Sequence, residues 1–120
     1  MTADAPRSYY SEGLIEEAVQ ENQRKLASEP GNHLLRCSLA NGLVRLGKFE
    51  EAIEHYQKCI ELSPSSEYWN NLGKALLNAG RYQEAVDAFA KVIEKQRWPD
   101  AFFHQAQAYR SLEIGRASCR

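Results

Sequence analysis

Laid against itself so that position 39 falls on position 72, the chain pairs Leu39 with Leu72, Leu43 with Leu76 and Gly47 with Gly80. The same offset pairs Glu51-Ala52 with Glu84-Ala85, Lys58 with Lys91, and Ile60-Glu61 with Ile93-Glu94. Conservative pairs fill the gaps: Ala40/Gly73, Phe49/Tyr82, Ile53/Val86 and Tyr56/Phe89. A period of this length marks a repeat architecture, in which each unit is too small to bury its apolar face alone and must stack on its neighbours. No other feature of the sequence restricts the fold as strongly.

Each unit divides into two helical stretches. In the first, Trp69, Leu72 and Leu76 recur at the spacing of one helix face. In the second, Tyr82, Ala85, Val86, Phe89, Val92 and Ile93 do the same. Gly80 stands between them, where a helix C-terminus needs positive φ. In the "SPSS" segment, Pro64 cannot continue a helix and the serines can cap the next one. Gly73 and Ala85 would let the two helices approach closely, with Trp69 and Phe89 filling the space beside them.

"WNNLGKAL" followed by "AVDAF" resembles the tetratricopeptide repeat, W-x2-L-G-x2-Y followed by A-x3-F and a later proline. The matching residues are Trp69, Leu72, Gly73, Leu76 (in place of Tyr), Ala85 and Phe89. The earlier unit matches through Leu39, Ala40, Leu43, Gly47, Ala52, Tyr56 and Pro64, with Arg36 where the Trp would stand. Upstream, Gly13, Ile15, Ala18 and Pro30 fall in register with the second half of a repeat whose first half Pro6 interrupts. Downstream, Phe102, Ala106 and Tyr109 resemble a first helix, with Gln105 replacing the Leu.

The resemblance covers residues 12–112 and implies an all-α fold, an α-solenoid of antiparallel helix pairs. The implied organisation is a flexible N-terminus over 1–11 and the second helix of a degenerate repeat over 12–32. Repeats then occupy 33–65 and 66–98, and 99–112 forms the first helix of a truncated further repeat. The ending "EIGRASCR" breaks the helical pattern. Its codons can be written to resemble a common sequencing adapter, so 113–120 reads as a translated artefact and the chain as a fragment continuing beyond Leu112.

Bulk properties remove several classes of function. The formal charge is −1 with basic and acidic residues interspersed, so nothing favours nucleic acid or an anionic membrane surface. No apolar run exceeds three residues, which leaves no membrane span. The opening residues lack the apolar core of a signal peptide. Cys37, Cys59 and Cys119 form no C-x-x-C pair and no even-numbered disulfide framework, so a reducing cytoplasm is the expected compartment.

Catalytic and metal chemistry find no motif. Glu51, His55 and Cys59 are spaced by four on one helix, but they align with ordinary repeat positions. Cys59 therefore reads as a small packing residue and His55 as a partly exposed one. There is no G-x-S-x-G, H-E-x-x-H or phosphate-binding glycine loop, and no cofactor is implied. The "EEA" and "QEA" runs open second helices, where carboxylates favour the helix dipole and stay solvated.

In the family resembled, first helices line a concave groove that binds extended peptides. That resemblance implies groove positions for Cys37, Asn41 and Arg45, then for Asn70, Asn71, Lys74 and Asn78, then for Phe103, His104, Gln107 and Arg110. Asparagine can donate to a peptide carbonyl and accept from a peptide N–H, while Lys74 and Arg110 favour acidic or C-terminal carboxylate partners. Asn41 and Asn71 resemble the two asparagines of the chaperone-binding carboxylate clamp. Cys37 stands where its first lysine belongs, and Phe103 and Gln107 replace later basic residues. The function implied is a non-catalytic protein-interaction scaffold. The alternative is the N-terminal repeat region of a larger enzyme, of glycosyltransferase or sulfotransferase type.

Overall fold

The computed structural model describes residues 7–95 and 99–118, with side chains over 13–95 and 99–115. The helices are α1 (Arg7–Ser28), α2 (His33–Arg45), α3 (Phe49–Leu62), α4 (Ser66–Asn78), α5 (Tyr82–Lys95) and α6 (Pro99–Ser118). No strand occurs among the described residues. Each helix packs on the next, and α4 also touches α6. The result is a short solenoid with extents of 51 × 39 × 26 Å. No described helix is long and apolar enough to cross a membrane.

The helix ends follow from local chemistry. Asn32 caps α2 by accepting from the Leu35 N–H, and Ser65 caps α4 by accepting from Glu67. The C-termini of α2 and α4 share one geometry. Gly47 and Gly80 take φ of 80° and 82°. Behind each, the next N–H reaches back into the closing helix: Lys48 to the Leu43 carbonyl at 2.8 Å, Arg81 to the Leu76 carbonyl at 2.9 Å. This is the Schellman closure, and it requires a residue that tolerates positive φ. Gly80→Ala is expected to cost about 1 kcal/mol, read as a lower urea midpoint at unchanged m-value.

Between the helices the apolar positions close into one core. Leu39, Ala40, Leu43, Ala52, Ile53, Tyr56 and Cys59 are buried in the first unit, and Leu72, Leu76, Ala85, Val86, Phe89 and Val92 in the second. The close approach expected at Gly73 is present. A Cβ there would lie 2.6 Å from Cε1 of the fully buried Phe89. On the surface, the Arg81 guanidinium forks onto Glu84 at 2.8 and 2.7 Å and reaches Glu50 at 2.9 Å. It joins the N-termini of α5 and α3, where those carboxylates remain mostly solvated.

Three sequence expectations are corrected. The flexible stretch 1–11 is helical from Arg7 onward; its first six residues, including Pro6, lie outside the described part. Nothing in "RSYYSEG" breaks a helix once the proline has been passed, because Pro is costly inside a helix rather than ahead of it. In α1 the buried register residue is Val19, one repeat period ahead of Ala52, while Ala18 is exposed. The helix begun at Pro99 does not stop at Leu112 but continues to Ser118. Leu112 rests on the core, while Glu113, Ile114 and Gly115 are exposed. Cys119 and Arg120 lie outside the described residues, as do Gln96, Arg97 and Trp98 at the end of the second repeat.

Candidate functional site

One side of α4 faces away from its packing partners. At about 100° per residue, Asn71, Lys74 and Asn78 fall within about 60° of one another, and Trp69 lies about 180° from Asn78. Lys74 and Asn78 meet α6 across an open cleft of about 520 Å³, lined also by Leu77, Tyr82, His104, Gln107 and Ser111. None of these lining residues is a carboxylate, and Lys74 brings a positive charge. His104 is held in place from two sides. Its ring stacks on Phe89 with centroids 5.7 Å apart, and Nδ1 donates to the Asp100 carbonyl at 2.7 Å. In the neutral ring Nε2 is then an acceptor.

The first repeat contributes a separate polar cluster. Asn41 is exposed on α2, and its Oδ1 accepts from the Tyr56 hydroxyl. Its Nδ2 stands 4.0 Å from Cys37 Sγ. Burial, then the charge of Glu67, raises the Cys37 pKa, against a hydrogen bond from Asn71 that lowers it. The Cys59 thiol is pushed up to about 11 by burial and then by Cys37. Both thiols are therefore protonated at neutral pH. Cys37, at the position where a carboxylate clamp would use a cation, is neutral and, at 8% exposure, buried in the core.

The residues named from sequence thus divide. Lys74, Asn78, Gln107 and His104 share the cleft. Asn71 and Asn41 converge on Cys37 one repeat earlier. Arg110 and Phe103 border a smaller hollow of about 260 Å³ with Ala106 and Gln107. Arg45 is exposed in the last turn of α2, where its charge suits the helix dipole, and lines none of these clefts. Asn70 is a correction. It is 6% exposed, and its Oδ1 is buried with no partner among the described residues, so its amide does not face the groove. It sits about 100° from Asn71, toward the core.

Sequence reasoning missed the supporting residues. Tyr56 reads from its spacing as packing alone, yet its hydroxyl orients Asn41. His33 and Tyr68 join the two repeats through a 2.7 Å bond between Nδ1 and the hydroxyl. Gln105, the substitute for a core Leu, donates to the Val86 carbonyl at 3.3 Å. Glu51, His55 and Cys59 do not converge. Cys59 is buried with Sγ 3.5 Å from the His33 carbonyl, whereas His55 contacts Arg36 and Glu51 is exposed. Among the described residues no three His, Cys, Asp or Glu side chains are placed to hold a metal ion.

Stacked helix pairs, paired glycine caps and a polar cleft on the first helices define a helical-repeat module. The model of the tetratricopeptide repeat family matches residues 37–102 and 75–113, and the chain belongs to that family. The TPR repeat-containing protein PA0015 of Pseudomonas aeruginosa is 42% identical over 58 residues, 48% of this chain and 55% of that protein. The Hsp70-Hsp90 organising protein of Plasmodium falciparum is 36% identical over 53 residues, 44% of this chain and 21% of that protein. The chain thus spans little more than half of the first relative and a fifth of the second. The first TPR of Spaghetti (RPAP3), bound to the HSP90 peptide SRMEEVD, superposes with a TM-score of 0.79 at 20% identity. That match covers 88% of this chain and 85% of the other, and shows a common fold.

Proposed function

We propose that this chain is a non-catalytic protein-interaction module that holds an extended peptide across α2, α4 and α6. The observation that carries this reading is the cleft holding Lys74, Asn78, His104 and Gln107, which offers donors and positive charge and no carboxylate. Such a surface favours acidic side chains or a C-terminal carboxylate. Asn41 and Asn71 extend the polar track into the first repeat, where their amides can engage a peptide main chain. The HSP90 peptide carried by the first TPR of Spaghetti (RPAP3), acidic and ending in Asp, supports the same class of ligand. Cys37 is neutral and buried, so the first repeat supplies no cation at that position, and the contact with a carboxylate is narrower than a full set of clamp cations would give. The proposed compartment is the cytoplasm, where both buried thiols stay reduced.

Fluorescence anisotropy against a panel of acidic heptapeptides, each made as free acid and as C-terminal amide, tests the reading. Lys74→Ala is expected to weaken the free acids at least about tenfold, since a charge-assisted bond contributes about 1.5–3 kcal/mol. Asn71→Ala is expected to weaken acid and amide alike, with the melting temperature of both variants unchanged. No preference for acidic peptides, or affinities indifferent to both substitutions, would reject the groove as the site.

A further inference from the structure

A second cleft opens on the far side of α4, beside Trp69, and shares no lining residue with the groove. Its volume is about 630 Å³, within the range that small ligands occupy. Its walls are Glu54, His55 and Lys58 from α3, Arg36 from α2, and Trp69 with Leu72 from α4.

Arg36 occupies the position that Trp69 fills in the next repeat, so a cation stands where the family pattern has an indole. Its hydrogen bonding is incomplete. Nη2 donates to the Pro30 carbonyl at 3.1 Å and Nη1 to His55 Nδ1 at 3.2 Å. Nε is buried with no acceptor. Among the described residues no carboxylate lies within ion-pair distance of this guanidinium; the acid-base pairs are those of Arg24, Lys58 and Arg81. A half-buried cation without a counter-ion is costly, and an arriving anion recovers that cost.

His55 and Trp69 restrict which anion fits. Burial, and then the Arg36 charge, lowers the His55 pKa, so the ring is neutral at pH 7. With Nδ1 accepting from Arg36, its proton sits on Nε2 and makes a second donor. Trp69 adds a flat apolar wall; Lys91 stands 6.0 Å from its ring centroid but belongs to α5 and does not line the cleft. Glu54 and Glu61 also line the cleft, and they repel a dianion such as phosphate more than a single carboxylate.

We propose that this cleft binds an aromatic carboxylate, with the carboxylate on Arg36 and His55 and the ring against Trp69. The same chemistry occurs in a free arylalkanoic acid and in a polypeptide ending in phenylalanine. Titration of the full chain with sodium 3-phenylpropanoate, followed by ¹H–¹⁵N NMR, is expected to shift the Trp69 indole and His55 amide signals saturably. Lys74 and Gln107 in the groove should stay in place. The uncharged 3-phenylpropanamide is expected to bind at least about tenfold more weakly. Arg36→Met keeps the aliphatic stem and should reproduce that loss. Because Arg36 also holds the Pro30 carbonyl, the variant's melting curve is recorded, and the acid-to-amide comparison on the unaltered protein stands without it. A heptapeptide with a free C-terminal Phe that binds more tightly than phenylpropanoate assigns the site to a chain end; weaker binding assigns it to the small molecule. No saturable shift, equal affinity for acid and amide, or first shifts at Lys74 and Gln107 would overturn the proposal.

Discussion

Ala85→Glu is expected to unfold the second repeat. Ala85 is 0% exposed, and the buried core cluster to which it belongs contains no charged side chain. An uncompensated charge in such a place costs about 3–5 kcal/mol. A domain of this size has only about 5–15 kcal/mol to lose. Because a solenoid couples each repeat mainly to its neighbours, the loss should begin in α4, α5 and α6. Hydrogen exchange would then show protection collapsing over residues 66–112 before it falls in α2 and α3. Gln83→Glu, exposed nearby on the same helix, serves as control: it exchanges a solvent-exposed 3.4 Å bond to Asp87 for a screened like-charge pair and should stay within about 0.5 kcal/mol of the parent. A parental melting curve for Ala85→Glu would refute the packing described for α5.

Substitution of Gly73 sets two effects against each other. Alanine is better than glycine in a helix by about 1 kcal/mol. Its Cβ, however, would sit at 2.6, 2.8 and 2.9 Å from three atoms of the Phe89 ring, which is fully buried and has little room to yield. Overpacking of this kind costs about 1–3 kcal/mol. Gly73→Ala should therefore be destabilising by up to about 2 kcal/mol, and Gly73→Val by about 3 kcal/mol or more. Gly13→Ala gives the opposite sign, because nothing lies within 4 Å of a Cβ there and only the propensity gain remains. Adding Phe89→Leu to Gly73→Val should recover part of the loss in chemical denaturation. Simple additivity of the two single changes would show that Gly73 and Phe89 do not share the contact.

The repeat unit is legible because its determinants are local and occur twice. Gly47 and Gly80 announce their caps, and Gly73 announces the close approach to Phe89. The ends of the array are harder to read. A single copy of a pattern fixes register poorly, as α1 shows, where Val19 rather than Ala18 enters the core. Within the groove, Lys74 and Asn78 are legible because they share one polar face of α4, and Gln107 because it stands one repeat period after Lys74. Asn70 is misplaced when residue type is weighed above register. The equivalent position of the preceding repeat is Cys37, itself buried, and that comparison points Asn70 inward. The Tyr56–Asn41 and His33–Tyr68 bonds join residues 15 and 35 positions apart, and no short-range pattern encodes them.

The twin glycine closures bear on how the proposed groove would measure length. Asn41, Lys74 and Gln107 stand one repeat period apart in succession, so they are the same rung met three times. The matching turns within the two repeats set α2 and α4 alike, and under the proposed function a bound peptide would meet these side chains as the graduations of a ruler: an amide, an ammonium and an amide. Inserting a whole repeat lengthens the ruler without changing its scale. Inserting one residue beside Gly47 or Gly80 would rotate every later rung out of line, even where each helix still folds.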